Sequence, residues 1–218
     1  MTRCFFTGQN RVPCVLWSGD VGGTWGDFRK QIAAGLGASL SGVPWWTSDA
    51  GGFFRPKNQY TNEAYKRLMV RWFEFATFCG VQRIHGFMSE TEPWRYGEET
   101  ERIICKYINL RQELMPYILH CAKEVSAKNG VLMRPLVMDF PDDPQAIVSE
   151  TEFMFGPRYL VAPVVGDTDK VEVYLPKGAK WRNFWTGEVI EGGRTILVDA
   201  PLDTIPLFEK AVAKMRQK

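Results

Sequence analysis

Residues 38–53 read Ala38-Ser-Leu-Ser-Gly-Val-Pro-Trp-Trp-Thr-Ser-Asp49-Ala-Gly-Gly-Phe53, an apolar segment that ends in polar residues and a glycine pair. The first part, 38–43, predicts a short buried strand that delivers Asp49 into a glycine turn. A helical pattern from Trp25 to Gly37 precedes this strand, and an amphipathic helix over 62–78 follows it. A strand between two helices is the repeating unit of a parallel sheet.

The same alternation of strands and helices continues on both sides of this unit. Residues 3–7 and 12–17 predict a strand end and an irregular segment that leads to Asp20, and 81–85 predict another short strand. A longer helix is expected over 98–127, with a kink at Pro116 in its interior. This region holds three or four βα units, whereas a complete (β/α)8 TIM barrel takes about 250 residues. The sequence therefore predicts an α/β fold that is the C-terminal part of such a barrel.

The pattern changes after Pro144, where short strands and turns replace the helices. Five strands are predicted, over 159–165, 170–175, 181–184, 195–198 and 204–208. Short strands separated by turns are typical of an antiparallel β domain. We place the boundary near residues 141–152, beginning at Pro141-Asp-Asp-Pro144. This choice gives a barrel part over 1–145 and an incomplete antiparallel β-sandwich domain over 146–218.

The composition excludes several classes of function. A formal net charge of +2 provides no basic surface for nucleic acid or anionic lipid. No stretch approaches the roughly 18 to 20 apolar residues of a membrane span, and the N-terminus does not read as a signal peptide. We expect a soluble protein of the cytoplasm or periplasm whose true N-terminus lies upstream of Met1.

The cysteine and histidine content argues against a metal centre or another cofactor. The five cysteines are odd in number and never form a C-x-x-C pair, so we expect reduced, mostly buried thiols. The two histidines, His85 and His120, lie far apart and have no carboxylate at ligand spacing. Aromatic residues make up 13% of the chain, which suits both stacking against sugars and a large core.

Three polar clusters follow predicted strands, at residues 17–20, 47–53 and 83–86. In βα barrels, catalytic groups converge at the C-terminal ends of the strands. Two aspartates and an Arg/His pair among tryptophans indicate hydrolysis of an uncharged polar substrate. A glycoside is the natural candidate, because glycosidases use paired carboxylates and need no metal.

Each of these residues also has a structural interpretation. Asp20 is either a general acid in a poorly solvated site or a residue that caps the next helix or solvates a turn. Asp49 precedes a glycine pair and is equally suited to accept hydrogen bonds in an Asx-turn. Arg83 and His85 either bind a ligand or form a structural Arg–Asp pair with a satisfied histidine.

Two other features favour packing over ligand binding. The glycines around Asp20 match neither the G-x-G-x-x-G pattern nor a P-loop, so a phosphate cradle is discounted. Three tryptophans are better explained by packing than as sugar platforms: Trp45, Trp46 and Trp94.

Taken together, the motifs resemble glycoside hydrolase family 31, the α-xylosidase and α-glucosidase type. They occur in order along nearly the whole chain: Arg3 with Gly8, Arg11 and Trp17-Ser-Gly-Asp20, Gly42-x-Pro44-x-x-x-x-Asp49-x-Gly-Gly-Phe53, Arg83-x-His85-Gly86, Glu92-Pro-Trp94, Arg111 to Tyr117, Met133-Arg-Pro135, Tyr159-Leu-Val-Ala-Pro163, Tyr174-Leu-Pro176, Trp181 and Ile205-Pro206. The resemblance implies an exo-acting retaining enzyme that acts on an oligosaccharide or glycoside, with α-xylosidase slightly favoured over α-glucosidase.

The resemblance also implies a role for each site residue. Asp20 matches the general acid/base of a double displacement. The residues that it implies for substrate binding are Arg3 and His85 in the glycone subsite, Asp49 and Arg83 in or behind it, and Trp17 and Phe53 as walls.

One departure from the family concerns the nucleophile, which is an aspartate on an earlier barrel strand. No acidic residue precedes Asp20 in this chain. We therefore expect the isolated chain to be inactive, and its open strand edges to favour aggregation. Two alternatives remain: a non-catalytic carbohydrate-binding remnant of such an enzyme, and another barrel enzyme such as an isomerase.

Overall fold

The first part of the chain is an arc of parallel strands flanked by helices, in a computed structural model that describes residues 1–12 and 14–211. Strand β1 (Leu16–Trp17) pairs in parallel with β2 (Trp46–Thr47). Single parallel bridges extend the arc, one from Thr2 to Leu16 and one from Ala50 to Ile84. Four consecutive segments thus share one direction, which confirms the predicted βα architecture.

Helix α1 (Trp25–Leu40) continues past the glycine at which the sequence predicted its end. The terminating glycine is Gly42, which has a φ of +77° and donates its N–H to the carbonyl of Ser39. Gly37 lies within the helix, where a Cβ atom would meet nothing within 4 Å. The predicted strand over 38–43 is therefore wrong, because these residues complete the helix and its C-terminal turn.

The remaining helices follow the predicted pattern with one change. Helix α2 (Glu63–Ala76) begins after Asn62, whose side chain accepts a hydrogen bond from the N–H of Tyr65. The predicted helix over 98–127 is two helices, α3 (Glu98–Glu113) and α4 (Met115–Lys128), because Pro116 occupies the first turn of the second. Among the described residues, no helix is both long and apolar enough to cross a bilayer.

The parallel strands are shorter than predicted. In the segment 3–7 no residue forms a strand, and in 81–85 only Ile84 makes a ladder contact. Arg111 of α3 holds the turn between α2 and the second of these segments, because it donates hydrogen bonds to the carbonyls of Thr77, Cys79 and Gly80. A side chain thus fixes the residues just before the short strand at Ile84.

The second part of the chain is built from two short helices and eight strands within the described residues. They are β3 (Met133–Pro135), α5 (Leu136–Asp139), α6 (Pro144–Ile147), β4 (Phe153–Phe155), β5 (Tyr159–Val161), β6 (Lys170–Leu175), β7 (Lys180–Asn183), β8 (Val189–Glu191), β9 (Arg194–Asp199) and β10 (Leu207–Ala211). Six strands form an antiparallel sheet in the order β3-β4-β5-β10-β7-β8, and β6 pairs with β9 as a separate ribbon.

This arrangement confirms the predicted antiparallel β-sandwich and corrects its details. Strands β3, β4 and β8 were not predicted, β5 ends at Val161, and the last strand is Leu207–Ala211, not 204–208. Strand β3 pairs with β4 although it precedes the boundary predicted at 145/146, which stays a prediction. Residues 212–218, which the predicted second domain includes, lie outside the described residues.

Strands β4 and β5 of the six-stranded sheet are buried on both faces. On one face, Phe153 and Phe155 pack edge-on against Phe75 and Phe78 of the barrel part, with ring centroids 6.0 and 5.5 Å apart. The other face packs against the β6–β9 ribbon through a second group of buried residues: Met154, Leu160, Val173, Leu175, Trp181 and Phe208. The barrel part and the β domain therefore share one hydrophobic core, which is separate from this second group.

Arg71 on α2 locks the barrel part to the β domain. Its guanidinium group is buried and donates hydrogen bonds to four backbone carbonyls of the loops before β6 and after β9, those of Thr168, Ala200, Pro201 and Thr204. It also pairs at 3.2 Å with Glu74, one turn along the same helix. Burial raises the pKa of Glu74, and the Arg71 charge opposes that shift.

We expect Arg71→Leu to destabilise the 218-residue chain by at least about 3 kcal/mol, because several buried carbonyls and a buried carboxyl lose their donor. The matched control is Arg67→Leu on the same helix, whose partners Asp167 and Asp169 are exposed. It should cost under about 1 kcal/mol. Urea unfolding followed by circular dichroism and tryptophan fluorescence measures both values, and equal losses would contradict the assigned role of Arg71.

Candidate active site

Asp20 lies in the loop after β1, close to the C-terminal end of that strand. Its carboxylate forms an ion pair with Arg3 at 2.7 Å, and its side chain is 29% exposed. The helix that follows is capped by Thr24, which accepts a hydrogen bond from the N–H of Asp27 and donates one to its carboxylate. The helix-cap interpretation of Asp20 is therefore wrong, and its carboxylate is available to a ligand beside Arg3.

Asp49 lies at the end of β2 and is fully buried. Its Oδ1 accepts a hydrogen bond from Nε of Arg83 at 2.5 Å, which confirms the Arg–Asp pair considered for these residues. The glycine turn after it is closed by the backbone, since the N–H of Gly52 donates to the carbonyl of Asp49. The second carboxylate oxygen, Oδ2, is buried and has no hydrogen-bond partner among the described residues.

Trp17 joins the two ion pairs. The guanidinium carbon of Arg3 lies 4.8 Å from the centroid of its ring, and that of Arg83 lies 5.4 Å from it. Both distances are within the range of a cation–π interaction. Asp49, Arg83, Trp17, Arg3 and Asp20 therefore form one contiguous cluster at neighbouring strand ends.

His85 and Phe53 form a second group beside this cluster. Their rings lie 5.5 Å apart, and both Phe54 and Phe87 also contact Phe53, at 5.0 and 5.7 Å. The N–H of Phe53 donates to the carbonyl of Val21, the residue after Asp20. The structure thus brings all seven predicted site residues to one end of the arc, in two adjacent groups.

Arg55 is a positioning residue that the sequence analysis missed. Its guanidinium group donates hydrogen bonds to the carbonyls of Ala50, Gly52 and His85, and to the hydroxyl of Tyr96. It therefore ties the glycine turn to the segment that carries His85. The available signal was a basic residue shortly after a glycine pair, because such a turn leaves carbonyls that need a donor.

The glycines around Asp20 allow two loops to pack closely. A Cβ atom on Gly52, whose φ is +81°, would lie 2.6 Å from the carbonyl oxygen of Gly22 and from backbone atoms of Gly23. This contact explains the glycines without a phosphate. Within residues 1–12 and 14–211, no group of three or more His, Cys, Asp or Glu side chains is arranged to hold a metal ion.

The tryptophans outside the cluster divide into two kinds. Trp46 is buried and belongs to the barrel core, and Trp45 packs against that core, as predicted. Trp94 is 64% exposed on a short 3-10 turn, so it is not a core residue, and packing within its loop stays a prediction.

The barrel arc with polar strand ends, followed by a β-sandwich, is the architecture of a class of sugar-cleaving enzymes, and the comparisons with known proteins agree. Residues 1–121 match the model of the glycosyl hydrolases family 31 TIM-barrel domain, and residues 129–212 match that of the glycosyl hydrolase family 31 C-terminal domain. The chain belongs to glycoside hydrolase family 31, as its motifs predicted.

Named relatives agree with this assignment. The chain is 46% identical to an alpha-xylosidase of Saccharolobus solfataricus, covering 98% of this chain and 29% of the relative. It is 36% identical to alpha-glucosidase 2 of Bacillus thermoamyloliquefaciens, over 96% of this chain and 26% of that protein. The crystal structure of a family 31 alpha-xylosidase from a soil metagenome, complexed with xylose, superposes with a TM-score of 0.91 at 36% identity, over 97% and 34% of the two chains. The chain spans under a third of the length of relatives such as the first.

We expect Arg83→Leu to destabilise the chain by about 3 to 5 kcal/mol, because it leaves the buried carboxylate of Asp49 without a cation. Adding Asp49→Asn should restore part of the loss by removing that charge. The matched control is Arg29→Leu, which breaks an exposed pair with Glu150 and should cost under about 1 kcal/mol. Urea midpoints measure these effects, and a double variant no more stable than Arg83→Leu alone would count against the pairing argument.

Proposed function

We propose that this chain supplies the acid/base part of the active site of a retaining, exo-acting α-glycoside hydrolase. The observation that supports this most is the difference between its two strand-end carboxylates. Asp49 is fully buried and paired with Arg83, whereas Asp20 is partly exposed and held by Arg3. Only a carboxylate that a ligand can reach can exchange a proton with it.

The reaction proposed for Asp20 has two steps. In the first, a nucleophilic carboxylate attacks the anomeric carbon while Asp20 donates its proton to the leaving oxygen, and the glycosidic bond breaks. In the second, the Asp20 carboxylate takes a proton from water, whose oxygen attacks the anomeric carbon and releases the nucleophile. The sugar therefore leaves with its original α configuration.

The nucleophile must come from elsewhere. Asp49 cannot serve, because its carboxylate is buried and bound to Arg83, and a nucleophile has to reach the sugar about 5 Å from the acid/base. No acidic residue precedes Asp20. We propose that polypeptide outside residues 1–218 supplies it, in keeping with the 29% of the Saccharolobus solfataricus relative that the chain spans.

The other site residues would hold an oligosaccharide or glycoside substrate. Arg3 and His85 are exposed and carry donors that suit sugar hydroxyls. Trp17 and Phe53 are half-buried and would form apolar walls, while Asp49 and Arg83 support the floor of the site from behind. The Arg3–Asp20 pair and the Asp49–Arg83 pair each combine one positive and one negative charge, which suits a neutral, hydroxyl-rich ligand.

Xylose is the glycone that we favour. The alpha-xylosidase of Saccharolobus solfataricus shares 46% identity with the chain, against 36% for the alpha-glucosidase of Bacillus thermoamyloliquefaciens. In the gene product that contains this chain, a higher kcat/KM for an α-xyloside than for the matching α-glucoside would support this preference.

We expect Asp20→Asn in that gene product to lower kcat/KM for an α-linked disaccharide by about 100- to 10,000-fold. For a glycosyl fluoride, whose leaving group needs no proton, the rate of the first step should fall far less. Added azide should then accelerate turnover and give a glycosyl azide of retained α configuration, because azide attacks without a general base. The control is Asp27→Asn, which alters the cap of α1. Equal losses on both substrates and no azide product would reject the acid/base role.

The isolated 218-residue chain should hydrolyse neither p-nitrophenyl α-xyloside nor p-nitrophenyl α-glucoside, because the first step lacks its nucleophile. Release of p-nitrophenol is measured during a long incubation, with the complete gene product as the positive control. Turnover by pure chain that disappears in the Asp20→Asn variant would refute the proposal that the nucleophile lies outside residues 1–218. Calorimetric binding of a sugar without cleavage would agree with it.

A further inference from the structure

An exposed aromatic pair borders the proposed site. Phe54 and Phe87 are 53% and 54% exposed, although phenyl rings are usually buried. Their centroids lie 6.0 Å apart, and both rings contact Phe53, which in turn contacts His85. The two rings therefore form one apolar surface that is continuous with the site.

Backbone hydrogen bonds hold this surface close to Asp20. The N–H groups of Phe53 and Phe54 both donate to the carbonyl of Val21, at 2.9 and 3.0 Å. The N–H of Phe87 donates to the carbonyl of Phe53 at 2.8 Å. The residue after the proposed acid/base is thus bonded directly to the segment that carries the aromatic pair.

The chain turns sharply just after the pair. Met88 has a φ of +45°, an uncommon conformation for a residue other than glycine, and its side chain is 90% exposed. The guanidinium group of Arg55, which is partly buried, is occupied by the carbonyls of Ala50, Gly52 and His85. The surface beside Phe87 is therefore apolar and suits a neutral ligand.

We propose that Phe54 and Phe87 form a stacking platform for the sugar on the leaving-group side of the scissile bond. This inference rests on the proposed function, because a general acid at Asp20 must contact the leaving oxygen, so the leaving sugar lies next to it. The apolar C–H face of a pyranose matches the face of a phenyl ring. The platform contributes to substrates whose leaving group is a sugar, and not to those that lack one.

The test compares two substrates with the same glycone in the gene product that contains this chain: an α-linked disaccharide and the glycosyl fluoride. The double variant Phe54→Ala/Phe87→Ala should lower kcat/KM for the disaccharide about 10-fold, mainly through KM, and change the fluoride by less than about 2-fold. Phe87→Tyr, which keeps the ring, should stay near wild type. Leu197→Ala, an exposed residue on β9, is the control.

Several outcomes would overturn the platform. One is an equal fall in kcat/KM for both substrates, which would indicate a general disturbance of the site. Another is an unchanged kcat/KM for both. A dimer in sedimentation that dissociates in the double variant would assign the surface to self-association. If the wild-type protein cleaves neither substrate, the proposed function fails. Calorimetric titration with the same disaccharide then still decides the platform, which predicts a weaker Kd in the double variant and is rejected by an unchanged one.

Discussion

The burial of the Asp49 carboxylate is the constraint from which the geometry of the site follows. A buried charge needs a nearby countercharge, and Arg83 provides it at 2.5 Å. That bond fixes the guanidinium of Arg83 against Trp17, whose ring also carries Arg3, and Arg3 holds Asp20. The orientation of the exposed carboxylate that we propose as the acid/base therefore depends on a second carboxylate, that of Asp49, which is buried. This division of labour explains why two aspartates in similar sequence contexts are assigned different roles.

The arc that carries these strand ends depends in turn on the β domain. Phe75 and Phe78 pack against Phe153 and Phe155, so the helix behind the site and the central sheet share one core. Arg71 adds polar specificity to that contact, because its hydrogen bonds to four carbonyls can form in only one relative position. The β domain therefore supports the barrel part structurally. Substitutions at this interface should also shift the residues at the strand ends.

Much of this could be predicted from the sequence because the relevant signals are local. Polar residues after short apolar strands located Asp20, Asp49 and His85, and family motifs added Arg3. The errors arose where tertiary structure overrides local pattern. Strand β4, Phe153–Phe155, was missed because burial on both faces removes the alternation that identifies a strand. Arg55 was missed because two of its partners, the carbonyl of His85 and the hydroxyl of Tyr96, lie 30 and 41 residues further along the chain, which no periodicity reveals.

The polar atoms of the cluster also indicate what completes the site. Trp17 Nε1, Ser18 Oγ and Asp49 Oδ2 are buried and have no hydrogen-bond partner among the described residues. Buried polar groups in native proteins are almost always paired, so an unpaired donor, hydroxyl and carboxylate oxygen on neighbouring strand ends need an explanation. A hydroxyl-rich sugar, or the polypeptide that we propose to carry the nucleophile, offers both donors and acceptors. The strand ends around Asp20 therefore hold hydrogen-bonding capacity that the described residues do not fill.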